Sequence, residues 1–262
     1  MADDLKFTTA LGSSDLTSIS LLGRSLTDDL MGKVGFAELT YWMITLKRPT
    51  PGQLRMFETV LVTLADHGLT PSALATRLTL LGAPESVQGA LAAGILGGGS
   101  RYLGVTEDSG KFLAETLSRI TSVPNDDQGW DEVAREAIRR RRATGTFVPG
   151  LGHPTHKNGD PRIPVIFAIA RECGTFGPHL TLFEAIGRVA QAELGRSLPL
   201  NGAGVCGAAL ADAGIPIELL RGVAVLTRCA GLLGHIAEEL RNPLAADLYR
   251  TIDEGALYDP PA

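Results

Sequence analysis

The residues in this sequence that could do chemistry are a few histidines, some widely spaced arginines and one glycine-rich loop. His67 sits in Ala65-Asp66-His67-Gly68, at the predicted C-terminal end of a helical segment. A helix C-terminus favours cations and hydrogen-bond donors, so a histidine there can hold a carboxylate; it can equally serve as a cap or lie on the surface. His153 lies in VPGLGHPTHKNGDPR, a stretch whose glycines and prolines shape a loop. Loops on a rigid scaffold often carry function, and acid–base work is the natural role for a histidine in one. His153 and His156 read H-x-x-H, but no third ligand is evident in the sequence and no metal is expected. Arg228 interrupts an apolar helical segment, where a charge needs an acidic partner from the protein or a ligand carboxylate. Arg162 and Arg250 are further carboxylate-binding candidates, far apart in the chain. Arg139, Arg140, Arg141 and Arg142 form a basic run, which is either a solvated helix end or a clamp for phosphates. Gly202-Ala203-Gly204-Val205-Cys206-Gly207 has the G-x-G-x-x-G spacing of a dinucleotide loop. The preceding GRSLPLN makes a poor strand, so helix-packing glycines are the favoured reading.

These groups must be positioned mainly by helices. Residues 50–68 illustrate the pattern. Thr50 caps, Pro51 starts, Gln53 completes a capping box, and Leu54, Phe57, Leu61 and Leu64 recur on one face. Gly68 supplies a left-handed stop, and Thr70-Pro71 starts a second helix that ends at Gly82. The small residues of 84–96 predict a tightly packed helix, broken by Gly97, Gly98 and Gly99. Further helices are expected at 109–121, 131–142, 162–173, 180–194, 204–212 and 217–240, and strand signals are rare.

Composition bounds the partners. With 262 residues, 44% apolar and 20% charged, the chain reads as an ordinary globular protein. A net charge of −5 gives no reason to expect nucleic acid. Three scattered cysteines make neither a disulfide framework nor a zinc site, and a reducing cytoplasm fits. MADDLKFTT lacks the features of a signal peptide, and no membrane span is expected; residues 223–236 come closest but contain Arg228 and His235.

Four motifs in order, LLGRSLTDDLMGKVGFAELTYWMITLKRPTPGQ, ADHGLTPSALATR, VPGLGHPTHKNGDPR and VLTRCAGLLGHIAEEL, resemble the citrate synthase superfamily across residues 16–258. The likeness leans towards its citrate-cleaving branch, citryl-CoA lyase and the C-terminal module of ATP-citrate lyase. It implies an all-α fold with a large and a small helical domain in an intertwined homodimer or higher homo-oligomer, divided here at 1–104, 105–213 and 214–262. It implies that His67 and His153 are catalytic, with His67, Arg101, Arg162, Arg228 and Arg250 binding a di- or tricarboxylate. Arg250 would reach across to the partner subunit's site. Coenzyme A, part of the substrate rather than a resident cofactor, would lie along Phe147, Val148, Pro149, Gly150, Leu151 and Gly152, with Lys157 nearby.

Two departures from the synthase pattern bear on activity. In LGGGSRYLGVTED, Leu103 falls on a synthase histidine, while Arg101-Tyr102 fits the lyase branch. In NGAG, Ala203 falls on the family's catalytic aspartate. Asp212 lies two to three helical turns further on, too far to stand in for it. The resemblance thus implies cleavage of a 3-hydroxy-acyl-CoA such as citryl-CoA to acetyl-CoA and a 2-oxo acid such as oxaloacetate. The alternative is a divergent CoA- and carboxylate-binding relative with weak or no lyase activity.

Overall fold

A computed structural model describes residues 7–153 and 155–261; the reading of the N-terminus rests partly on residues 1–6, and these, like Pro154 in the loop motif, lie outside the described residues. The described chain is 64% helical, with 11 helices and one small sheet. The sheet was not anticipated: β1 (Gly12–Ser14), β2 (Ile19–Leu21) and β3 (Arg24–Ser25) form an antiparallel meander ahead of the first helix. Its strands have two or three residues and little burial, too short to leave an alternating pattern in the sequence.

Helix α1 (Phe36–Thr45) leads to α2 (Pro51–Leu64), whose Thr50–Gln53 capping box forms as expected. The helix stops at Leu64 rather than Gly68. Next, α3 (Pro71–Gly82) packs along α4 (Val87–Leu103). The helix of small residues breaks within the predicted Gly97–Gly99 stretch, at Gly99, where φ 50° and ψ −162° are non-helical and suit glycine, and a second helical piece continues to Leu103. Tight packing explains the small side chains: a Cβ on Gly94 would collide with Thr76 and Leu232.

Helices α5 (Val105–Leu117), α6 (Asp127–Ala143), α7 (Arg162–Glu172), α8 (Pro178–Leu194) and α9 (Gly202–Asp212) follow. They share a core with α2 that includes Phe57, Leu113, Ile138, Phe183 and Leu210. Within α9 the G-x-G-x-x-G glycines are packing residues. A Cβ on Gly204 would strike the Gly150 backbone, and one on Gly207 the Thr106 carbonyl of α5.

Helix α10 (Leu220–Arg241) continues a short 3-10 turn, and α11 (Ala245–Glu254) packs on α3. Ile217–Arg241 is long and apolar enough to cross a membrane, contrary to the sequence reading. It nevertheless packs against α2, α3, α4 and α5, and buries Arg228, His235 and Glu239 in polar contacts. That is how an interior helix of a globular fold behaves.

Candidate active site

Several helix ends, the middle of α10 and one loop meet around a cavity of about 410 Å³, bordered by His67, Arg101, His153, Arg162, Ala203 and Arg228, among others. Arg162 begins α7 and is fixed by Asp160, two residues earlier. The fully buried Asp160 carboxylate accepts from Arg162 Nε at 2.9 Å, Nη2 at 2.7 Å and the backbone N–H at 3.1 Å. It also accepts from Gly202 N at 2.7 Å, the first residue of α9. Burial alone would push Asp160 up, but the bonds and charge of Arg162 with the Gly202 N–H outweigh it and hold the carboxyl at about 2. One carboxylate thereby orients an arginine and anchors a helix start.

Arg228 comes from α10 and is 9% exposed. Its Nη1 approaches Asp66 Oδ1 at 3.4 Å, and its buried Nε has no hydrogen-bond partner among the described residues. Burial lowers its pKa, only partly offset by Asp66. A largely buried guanidinium that borders a cavity and has only one long contact to a protein carboxylate is a ready site for an anion.

His67 lies beyond the end of α2, in a turn held by the Gly68 N–H donating to Asp66 Oδ2 at 2.8 Å. Its ring stands 5.4 Å from that of His153, centroid to centroid. Burial and the neighbouring charges of Arg162, His156 and Arg228 lower the His67 pKa, against Asp160; burial first, then His156, lowers that of His153. Both are therefore neutral near pH 7.

His153 Nδ1 accepts from the backbone N–H groups of Thr155 at 3.1 Å and His156 at 3.0 Å. With Nδ1 engaged as acceptor, the proton of the neutral ring sits on Nε2 and is available to donate. The loop itself is pinned to the start of α9. Gly152 N donates to Pro199 O, Asn201 N to Gly150 O, and Asn201 Nδ2 to Gly152 O. Gly150, at φ 85°, makes the turn that allows this.

The fold supplies the third histidine that the sequence did not reveal: His67, His153 and His156 have ring nitrogens within 4.8 Å of one another. The set is a poor metal cage. His153 Nδ1 is spent on two N–H donors, and Arg162 and Arg228 add positive charge beside it.

Arg101 and Tyr102, at the end of α4, reach the same cavity. Leu103 is buried and packs towards Gly98. Ala203 presents its methyl to the cavity from the first turn of α9. Asp212 is committed elsewhere, capping α8 through the N–H groups of Gly177, His179 and Leu180. The Cys206 thiol, pushed up to about 12 by burial, is no nucleophile.

Two predicted residues are not brought here. Arg250 lies exposed on α11 beside Asp247 at 3.3 Å, because α11 packs on α3 and turns this side chain to solvent. Lys157 is exposed on the turn after His156 and lines none of the cavities described here. Conversely, Asp160, Asp66 and Asn201 were missed. Asp160 was marked only by its place two residues before Arg162, and Asn201 by being a good N-cap.

Beside the cavity, Phe147, Val148, Pro149, Gly150, Leu151 and Gly152 line a groove of about 390 Å³ with Arg141. A further hollow of about 310 Å³ adds Arg142 and Arg196. The basic run therefore divides. Arg139 and Arg140 pair with Glu193 and Glu136, while Arg141 and Arg142 border these depressions.

Comparison with known proteins agrees with this architecture. A citryl-CoA lyase from Hydrogenobacter thermophilus superposes with a TM-score of 0.83 at 28% identity, covering 98% of this chain and 96% of that one. ATP citrate lyase from Methanothrix soehngenii, solved with citrate and coenzyme A, gives 0.78 at 22% identity over 100% of this chain and 43% of that one, a likeness of fold. A probable ATP-citrate synthase of Caenorhabditis elegans is 24% identical over 93% of this chain but only 22% of its own length. Among the first curated relatives, the chain spans 22% to 51% of their length. Residues 21–251 match the family described as citrate synthase, C-terminal domain, and the chain belongs to that family.

Proposed function

We propose that the protein is a carbon–carbon lyase acting on a CoA thioester that carries a 3-hydroxyl and free carboxylates, citryl-CoA being the type substrate. The observation that carries this is the convergence of Arg162, the donor-rich Arg228 and two neutral histidines on one cavity beside a groove. The arginines hold the carboxylates by charge-assisted hydrogen bonds. The CoA portion lies along Phe147–Gly152, with Arg141 and Arg142 near its phosphates.

In the retro-aldol step the hydroxyl loses its proton, the carbon–carbon bond breaks, and the enolate of acetyl-CoA leaves. The hydrogen bonding of His153 bears on which half of the acid–base work falls to it. To accept the proton at Nε2 it would have to move its own proton to Nδ1 and give up two backbone bonds. It acts instead as the donor that steadies the oxygen, while the neutral imidazole of His67 takes the proton. The enolate then takes a proton from water, since Ala203 offers none. A homodimer in which Arg250 serves the partner's site belongs to the same reading.

The Ala203 methyl also supports a second reading, a relative that binds citrate and CoA but turns over slowly or not at all. An assay of the purified chain with citryl-CoA decides between them. Oxaloacetate formed above background supports the lyase. Citrate binding without turnover, with a gain of about 10²-fold or more in Ala203→Asp, supports a binding protein that has lost its acid. Neither binding nor turnover by correctly folded protein sinks both.

A further inference from the structure

Behind the cavity lies a polar line, buried at Arg77 and His235 and ending at the exposed Asp66 on the cavity's edge, that neither the motifs nor the proposed chemistry accounts for. Arg77 of α3, 2% exposed, donates to His235 Nδ1 of α10 from Nη2 at 2.9 Å and Nε at 3.2 Å. A guanidinium has no lone pair to offer, so Nδ1 is the acceptor and the ring proton sits on Nε2. That Nε2 lies 2.9 Å from Asp66 Oδ1. Asp66 Oδ1 also faces Arg228 Nη1 at 3.4 Å, and its Oδ2 holds the turn carrying His67. From the other side Arg77 is braced by Glu239, 2.8 Å from Nη1, and Glu239 Oε1 in turn caps α11 through Leu244 N and Ala245 N.

We propose that His235 is a positioning residue that keeps Arg228 available to the substrate. Asp66 and Arg228 stand further apart than a full charge-assisted pair, normally about 2.7–2.9 Å. His235 occupies the oxygen that would otherwise close on Arg228, and Arg77 fixes the tautomer that lets it do so. Without this imidazole, Asp66 swings onto Arg228, and an incoming carboxylate must compete with a protein carboxylate for the same guanidinium. The turn bearing His67 moves with Asp66.

This rests on the reading of the cavity as a carboxylate site, and the test separates the two. Citrate affinity, citryl-CoA kinetics and unfolding are compared for wild type, His235→Gln and His235→Leu. The glutamine can accept from Arg77 and donate to Asp66, and is expected to stay within about threefold of wild type. The leucine is expected to weaken citrate binding and raise KM on the order of tenfold while kcat changes less than about threefold, the size of one contested charged hydrogen bond. A folded His235→Leu protein with unchanged citrate affinity and KM overturns the proposal, as does an equal loss in both variants. If the leucine variant does not fold, or wild type binds no citrate, the 15N imidazole signals of His235 in the wild-type chain decide. A single Nε2–H tautomer at neutral pH supports the assignment; an Nδ1–H form or a mobile mixture overturns it.

Discussion

Replacing Asp160 by asparagine should loosen Arg162 and the start of α9 together. The native carboxylate takes two donors on Oδ1, the Arg162 N–H and Nε, and two on Oδ2, Arg162 Nη2 and Gly202 N. Asparagine keeps one oxygen, so whichever way the amide turns, its NH2 faces two donors. Two charge-assisted bonds are lost at about 1.5–3 kcal/mol each. Breaking a buried ion pair from one side gives a similar figure, about 3–5 kcal/mol. For a chain of this size that lowers Tm by roughly 6–20 °C. Citrate affinity should fall on the order of tenfold or more, because Arg162 no longer points into the cavity. Denaturant unfolding and calorimetry measure both. The stability difference has a pH signature. The folded carboxyl sits at about 2 against an ordinary 3.8, so its contribution is full above 3.8 and is lost as pH falls through the folded value. The variant and wild type should therefore differ by a constant amount from pH 7 to 4 and converge below. A loss under about 1 kcal/mol, the ordinary size of a neutral substitution's effect, with citrate binding intact, would refute the role given to Asp160.

Arg228→Met should weaken citrate binding about 10- to 100-fold while leaving stability unchanged or raised, because it removes a buried charge with an unpartnered Nε; a stability loss above about 3 kcal/mol would show that the guanidinium is structural. Gly202→Ala should displace the clamped Arg162 guanidinium, which a Cβ there would overlap, and lower citrate affinity; a crystal structure with Arg162 unmoved would contradict this. Because His67 and His153 titrate below the ordinary 6.5, kcat/KM with citryl-CoA should fall as the pH drops, with a midpoint below 6.5. Stability should follow with the same sign, since below 6.5 the unfolded chain binds protons that the folded histidines do not; a rate midpoint at or above 6.5 would refute the neutral pair.

Much of the helical frame was legible in the sequence, because caps, prolines and apolar spacing act over a few residues. Thr50, Gln53 and the face of Leu54, Phe57, Leu61 and Leu64 specified α2 except for its last turn. The chemistry-bearing residue types were legible for the same reason: His153 and Arg162 share one loop motif, and Arg228 stands out in an apolar run. What tertiary structure alone decided were relations between distant segments. His67 joins His153 and His156 from another helix end, and Asp66 meets His235 across 169 positions. The closeness of α4 to α3 and α10 depends on neighbours, Thr76 and Leu232, that only glycine at position 94 can approach. The exposure of Arg250 follows from how α11 packs, and the proton position on His153 from which backbone N–H groups its loop turns towards it. Local pattern can specify a helix, but a free donor, a tautomer or a shared oxygen exists only once separate parts of the chain are brought within hydrogen-bonding distance.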